Sequence, residues 1–367
     1  MNRKTGFCYN SFINNILDMK VLVTGGSGYF GSLLIERLIQ KKYHVESLDI
    51  NRPDIESDIK KFHQIDIRDR ESLDKCLEGY DIIFHNVAQV PLAKDKNLFT
   101  SVNVDGTENI CRAAVKNGIK KLIYTSSSAV YGIPQYNPVT ENSIPNPGEE
   151  YGLAKLIGEE ICKSYNNKGL NVSIIRPRTI IGHGRLGIFY LLFNWIREGI
   201  NIPVLNDGRN MYQFVHAEDL ADACILASEH KKSFSTYNIG SDDCQSMRTT
   251  LEQLCEYAET GSKIYSLPRK PIEIIMNITS KLRLTPLAPY HAMMYGRSLY
   301  FNIDKAKKEL GFNPKYSTRE MFRESYNWFK KNYDKDDKIN KVSIHKGPVK
   351  ESMLKILRWI SKMNSKY

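Results

Sequence analysis

Tyr151 and Lys155 stand four residues apart, so on a helix they lie on one face. A lysine cation held beside a phenol lowers the phenol pKa from about 10 toward neutrality. Such a tyrosine can take the proton from a carbinol and hand it back in the reverse direction. The spacing alone is common, since Tyr326 and Lys330 repeat it near the end of the chain. Context must separate the two pairs.

That context is a glycine-rich turn. Thr24-Gly25-Gly26-Ser27-Gly28-Tyr29-Phe30-Gly31 follows the apolar run Val21-Leu22-Val23 and leads into a helical stretch from Ser32 to Gln40. Gly25 permits a tight turn, Gly28 lets the main chain approach a pyrophosphate, and Gly31 allows close helix-to-strand packing. Free N–H groups at the helix start then hold the phosphates. Asp49 closes the next strand, 24 residues after Gly25, where its carboxylate can accept from a ribose diol and repel a 2′-phosphate. This favours NAD; Arg52 keeps NADP as the weaker alternative. Asp66 and Ile67 follow the third strand, where an acid can meet the adenine amino group.

The elements that carry these residues alternate. Val45 to Leu48, Ile82 to Phe84, Leu122 to Tyr124 and Val172 to Ile175 read as further buried strands separated by helical stretches. The expected fold is α/β, a Rossmann-type doubly wound parallel sheet. After Arg176-Pro177 the alternation loosens, and a smaller C-terminal substrate lobe interleaves with the last sheet elements near Phe214-Val215 and Tyr237 to Ile239. The expected organisation is an N-terminal extension (1–18), an NAD-binding domain (19–175), the substrate lobe (176–330) and a basic linker with an amphipathic tail helix (331–367). Met19 is an alternative start. Between Pro268 and Pro289 an apolar helical segment (Ile272, Ile274, Ile275, Met276, Ile278) reads as core, with a lid or an apolar substrate wall as the alternative.

The glycine spacing resembles that of the extended short-chain dehydrogenase/reductases, the superfamily of nucleotide-sugar epimerases, dehydratases and reductases. Further matches are His85-Asn86-Val87-Ala88, Asn103 to Thr107, YTSSSAVYG over 124–132, Arg176-Pro177, FVHAEDLADA over 214–223 and FNIDKAKKELGF over 301–312; the likeness runs from Lys20 to Trp328. It implies Ser127, with Tyr151 and Lys155, as the catalytic set, Ser127 bonding the substrate oxygen and Lys155 also holding the nicotinamide ribose. It implies a cofactor site of Gly25, Ser27, Gly28, Tyr29, Phe30, Gly31, Asp49, Asp66, Ile67, Val87, Ala88, Asn103, Tyr151 and Lys155. Gln89, Ser128, Thr179, Arg185 and Arg297 are candidates for substrate contact.

The resemblance also narrows the reaction. Sugar 4,6-dehydratases carry an Asp–Glu pair after the catalytic hydroxyl, and related decarboxylases a Glu; here Ser128 and Ala129 stand there. Reversible oxidation at one carbinol remains, as net reduction or oxidation or as half of an epimerisation. In the substrate half, Thr179 replaces a common Asn and Tyr212 a common Arg, so Arg178, Arg185, Arg209 and Arg297 become the candidate anchors for a diphosphate. A 3β-hydroxysteroid-dehydrogenase-like enzyme of a lipophilic alcohol is the rival reading, and a non-catalytic NAD-binding scaffold the third.

Bulk properties fit a globular enzyme: 41% hydrophobic and 25% charged residues in 367. The net charge of +11 is concentrated in the tail, where 331–367 hold ten Lys/Arg against four Asp/Glu. Basicity confined to a tail argues against nucleic acid; a tail helix docked on the body or a partner subunit is expected, with contact to an anionic membrane surface as the alternative. Seven scattered cysteines read as reduced cytoplasmic thiols. No His or Cys pair has metal-ligand spacing, so no metal is expected. His183 can touch substrate or end a strand, and His216 braces the fold beside Glu218 and Asp219. A homodimer is implied by the resemblance alone.

Overall fold

The structure, a computed structural model, describes residues 19–53, 59–90, 97–281, 293–294, 296–332 and 358. The N-terminal half runs β1 (Lys20–Thr24), α1 (Tyr29–Gln40), β2 (His44–Asp49), β3 (Lys61–Gln64), α2 (Arg70–Cys76) and β4 (Ile82–His85). A π-helical stretch, Phe99–Gly106, continues into α3 (Thr107–Lys116), followed by β5 (Lys121–Thr125), a 3-10 turn (Ser128–Tyr131), α4 (Glu150–Asn166) and β6 (Asn171–Pro177). β1, β4, β5 and β6 are buried on both faces, which is why they read as apolar runs.

All strand pairs of the main sheet are parallel, in the order β11-β6-β5-β4-β1-β2-β3, where β11 is Phe234–Ile239. The order reverses beside β1, so a crevice opens at the carboxyl ends of β1 and β4. One core layer packs α1 and α6 (Ala217–Glu229) on the sheet through Leu34, Leu38, Leu220 and Ile225; the other packs α3 and α4 through Ile110, Ala114, Cys162 and Tyr165. β11, from the segment expected to interleave with the sheet, pairs with β6 along its whole length.

The remaining elements form the smaller lobe. Two-stranded pairings join β7 (Thr179–Ile181) to β10 (Phe214–His216), β9 (Met211–Tyr212) to β12 (Gln245–Ser246), and β8 (Ile202–Leu205) to β13 (Ile264–Leu267). Helices α5 (Ile188–Arg197), α7 (Met247–Ala258) and α10 (Thr318–Asn332) enclose an aromatic core of Phe189, Phe193, Phe214, Phe322, Tyr326 and Phe329. Tyr326 of the second Tyr-Lys pair is fully buried there and serves packing, while Lys330 is exposed. Two further helices, α8 (Arg269–Lys281) and α9 (Asp304–Leu310), complete the described elements.

The apolar segment before Pro289 differs from the expectation of core. On α8, Ile274, Ile275 and Ile278 are 60%, 53% and 52% exposed. An apolar helical period shows that one face is hydrophobic but not what covers it. Residues 1–18 and the tail helix lie outside the described residues except for Arg358, whose guanidinium meets Glu198 just after α5. Among the described residues no helix is long and apolar enough to cross a membrane, and the six described cysteines are free thiols.

Candidate active site

The glycine-rich turn adopts the geometry its residue types require. Gly25 has φ +74°, and a Cβ there would lie 2.9 Å from Val87 N. A Cβ on Gly31 would overlap the Gly25 carbonyl, so only glycine lets α1 start this close to β1. Gly28 caps α1 without any side-chain acceptor, leaving the first-turn amides to an external anion. Tyr29 and Phe30 are buried, Tyr29 donating through its hydroxyl to the His183 carbonyl at 3.2 Å.

Asp49 sits at the end of β2 as expected, oriented by the main-chain N–H groups of Ser27 (3.1 Å) and Asn51 (3.0 Å). The Ser27 hydroxyl donates to the Asn51 carbonyl, which ties the turn to the loop after β2. Ile67 is buried, its side chain filling the space beside Gly106. The Asp66 carboxylate is occupied by Arg68, whose Nε and Nη2 bond it and hold its pKa below the ordinary range. Asn103 acts at one remove. It is fully buried, its Oδ1 accepts from Gln89 N at 2.7 Å, and its Nδ2 donates to Gln89 O. It therefore fixes the chain beyond Val87 and Ala88, and the Gln89 main chain is spent on it.

The hydroxyl-rich turn after β5 sorts its four candidates by their partners. Thr125 donates to Asn86 Oδ1 at 2.6 Å, Ser126 to Glu159, and Ser128 accepts from Arg178 Nη1 at 2.8 Å. Ser127 is half-buried and its Oγ accepts from Ala129 N at 3.1 Å; among the described residues no acceptor takes its hydrogen. Like the buried Ser128, which only accepts, it keeps a hydroxyl proton, and of the two it is the more exposed.

Helix α4 brings Tyr151 and Lys155 to this turn. Glu149 caps it, accepting from the N–H groups of Tyr151 (2.8 Å) and Gly152 (2.7 Å). Gly152 faces the turn so closely that a Cβ would stand 2.5 Å from Ala129 O. Lys155 is buried, donates from Nζ to Thr125 O at 2.7 Å and lies 4.8 Å from the centre of the Tyr124 ring. Burial pushes its pKa down to about 8, so the ammonium remains protonated at neutral pH. Tyr151 is half-buried, its ring edge against Phe99. His85 is different: fully buried and bonded to Thr24 and Thr107, it is held neutral by burial, with a pKa pushed down to about 3.

Of the substrate candidates, Thr179 bonds the Tyr212 hydroxyl at 2.9 Å. Arg185 leans over Tyr29 with Nη1 unbonded. Arg297 is not available as an anchor, because Glu273 and the Met293 carbonyl take its guanidinium. One cluster had no sequence signal, since its members are distant in the chain: His183, His216 and Glu324 bring their ligand atoms within 4.8 Å of one another. His216 Nδ1 accepts from Glu218 N, which starts α6 and puts the ring proton on Nε2, 3.2 Å from Glu324. Glu324 also lies 3.2 Å from His183 Nδ1, so the three close as a bridge from the loop after β7 to α10.

The chain has matches among known proteins. The model of the NAD dependent epimerase/dehydratase family covers residues 21–240. The chain belongs to that family. It is an enzyme of the extended short-chain dehydrogenase/reductase type, and its cofactor is NAD. It is 50% identical over 337 residues to the Sinorhizobium fredii protein y4nG, covering 92% of this chain and 85% of that one. A putative UDP-glucose 4-epimerase of Methanocaldococcus jannaschii is 29% identical, covering 85% of this chain and 99% of its own. The fold matches the crystal structure of the Thermotoga maritima UDP-glucose 4-epimerase with UDP-glucose at a TM-score of 0.72 and 24% identity, over 86% of this chain and all of that one. In this family member the glycine cradle, the uncapped start of α1 and Asp49 form a set suited to the pyrophosphate and adenosine ribose of NAD.

Proposed function

We propose that this enzyme interconverts or reduces a nucleotide sugar at one carbinol, with Ser127, Tyr151 and Lys155 as its proton-handling residues. The observation that carries the reading is the contact of Gly152 with Ala129, which sets the Tyr151–Lys155 face of α4 against the turn headed by Ser127. Bound NAD supplies the hydride acceptor and returns the hydride in the reverse half-reaction.

Ser127 bonds the carbinol oxygen and keeps it near Tyr151. The Tyr151 hydroxyl, as phenolate, takes the carbinol proton as the C–H bond breaks, Lys155 one turn along the helix favouring that form; in reverse it donates that proton to the carbonyl oxygen. Lys155 stays cationic because its depressed pKa still lies above neutrality, and the Thr125 carbonyl fixes its position. His85 and the Glu159–Arg176 pair are already satisfied and have a supporting role only. Supporting a sugar nucleotide over a lipophilic alcohol are the activities named for the relatives: UDP-glucose 4-epimerases recur among them, and the Bacillus cytotoxicus relative is a UDP-N-acetyl-alpha-D-glucosaminuronate decarboxylase.

The rival lipophilic substrate draws on the basic amphipathic tail, outside the described residues, and on the apolar segment of α8, where three isoleucines are exposed. Incubation with UDP-sugars and with a 3β-hydroxysteroid separates the two. An epimerised sugar with no net absorbance change at the reduced-nicotinamide band supports the proposal; reduced cofactor accumulating on the steroid alone rejects it. The enzyme is further proposed to work in the cytoplasm as a homodimer through the outer face of α4, where Leu153 (49%) and Ile157 (39%) are exposed. A monomeric mass in light scattering at micromolar concentration would reject the dimer.

A further inference from the structure

Two buried arginines lie two residues apart at the end of β6 and are treated differently by the rest of the chain. Arg176 is fully neutralised: Glu159 takes its Nε at 2.8 Å and its Nη2 at 2.5 Å, and Tyr131 Oη accepts from Nη1 at 2.6 Å. Arg178 is more deeply buried, 1% exposed, and has no such partner. Its Nη1 donates to Ser128 Oγ, while Nε and Nη2 have no acceptor, and among the described residues no carboxylate lies within ion-pairing distance. A buried guanidinium without a counterion is strongly disfavoured, and its unpaired N–H groups add to the penalty. The same strand end shows how this chain neutralises an arginine that serves only the fold.

We propose that Arg178 reads an oxyanion of the substrate close to the reacting carbinol. The guanidinium carbon lies over the Tyr212 ring at 4.6 Å and the Phe301 ring at 5.6 Å. The Nε–Nη2 edge left without acceptors is the fork that matches a carboxylate or phosphate in two parallel bonds. The location suits a substrate contact. Arg178 N donates to Ile239 O at 2.8 Å, fixing the residue at the carboxyl end of the sheet, and its one side-chain partner, Ser128, adjoins Ser127. Thr179, the next residue, and Tyr212, whose ring lies under the guanidinium, are half-buried and bonded to each other.

The oxyanion has two sources in a nucleotide sugar, a carboxylate on the sugar ring or the diphosphate. The inference rests on the nucleotide-sugar reading above, and the test separates the two. NAD-loaded wild-type enzyme, Arg178→Met and Arg178→Lys are compared for turnover of UDP-glucose and UDP-glucuronate, for UDP binding by calorimetry, and for Tm without ligand. The expected result is that Arg178→Met keeps or raises Tm, because a buried unpaired charge is removed, while affinity falls about a hundredfold, with part recovered in Arg178→Lys. A loss confined to UDP-glucuronate identifies a sugar carboxylate; an equal loss on both sugars and on UDP identifies the diphosphate. Unchanged KM and Kd for all three ligands would overturn the proposal. So would a lowered Tm in Arg178→Met with affinities intact, which is what a structural arginine predicts. Should Arg178→Met fail to fold, Arg178→Lys decides: unchanged affinity for all three ligands refutes the fork, and a tenfold or greater loss supports it. Failure of the wild type to bind any of the three would instead sink the nucleotide-sugar reading.

Discussion

Gly152→Ala is the smallest change that should separate folding from activity in this enzyme. Gly152 is the third residue of α4, and its ideal Cβ would stand 2.5 Å from Ala129 O and 3.0 Å from Ala129 C, both main-chain atoms that cannot swing aside. Ordinary contact begins at 3.4 Å, so the start of α4 must withdraw by about 0.9 Å. Tyr151 moves with it, away from the turn that Ser127 heads. A misplacement of about 1 Å in a reacting geometry lowers rate roughly a hundredfold, or about 2.7 kcal/mol in the barrier. Against this, alanine is favoured over glycine inside a helix by about 1 kcal/mol, which offsets part of the steric penalty on stability. The expected variant is folded, retains NAD, and has kcat down about a hundredfold with KM changed little. The assay is steady-state turnover of the UDP-sugar that wild type accepts, with bound NAD measured on the same sample. Wild-type kcat in folded Gly152→Ala would refute the claim that this contact sets the catalytic geometry.

Two further predictions concern the cofactor half and the base of the sheet. Asp49→Ala removes the acceptor at the end of β2 and should weaken NAD binding by about tenfold relative to NADP, read by calorimetry; an unchanged NAD/NADP ratio rejects the ribose assignment. Glu46 is buried, which alone raises its pKa, yet bonds from Tyr80, His63 and Lys20 reverse the effect and bring it down to about 2. A carboxylate depressed from 4.5 to about 2 contributes stability that is fully present above pH 4.5 and disappears as pH falls toward 2. That contribution is at most about 3 kcal/mol. Urea unfolding of wild type and Glu46→Gln should therefore differ at pH 7 and converge near pH 2.5; a gap independent of pH contradicts the ion-pair account.

Much of the fold was legible because its signals are local. Strands β1, β4, β5 and β6 are short apolar runs between helical stretches, and Gly25, Gly28 and Gly31 state their conformational demands in spacing alone. Tyr151 and Lys155 were legible for the same reason, sharing a helix face. What escaped notice depends on contacts between distant residues. Asn103 carries no mark that it will be consumed by the Gln89 main chain, nor Arg297 that Glu273 will take it. The His183–Glu324–His216 bridge spans more than 140 residues. The isoleucines of α8 follow a helical period that fits a core, and only the three-dimensional packing shows them exposed. Arg176 and Arg178 look alike in sequence; their difference lies in which one Glu159 can reach.

The central claim is that Tyr151 moves the proton. Tyr151→Phe keeps the ring against Phe99 and removes only the hydroxyl. The measurement is turnover of a UDP-sugar substrate by this variant, with bound NAD determined in the same preparation. The account predicts turnover lowered at least about a hundredfold with NAD retained. Wild-type turnover in Tyr151→Phe would contradict it.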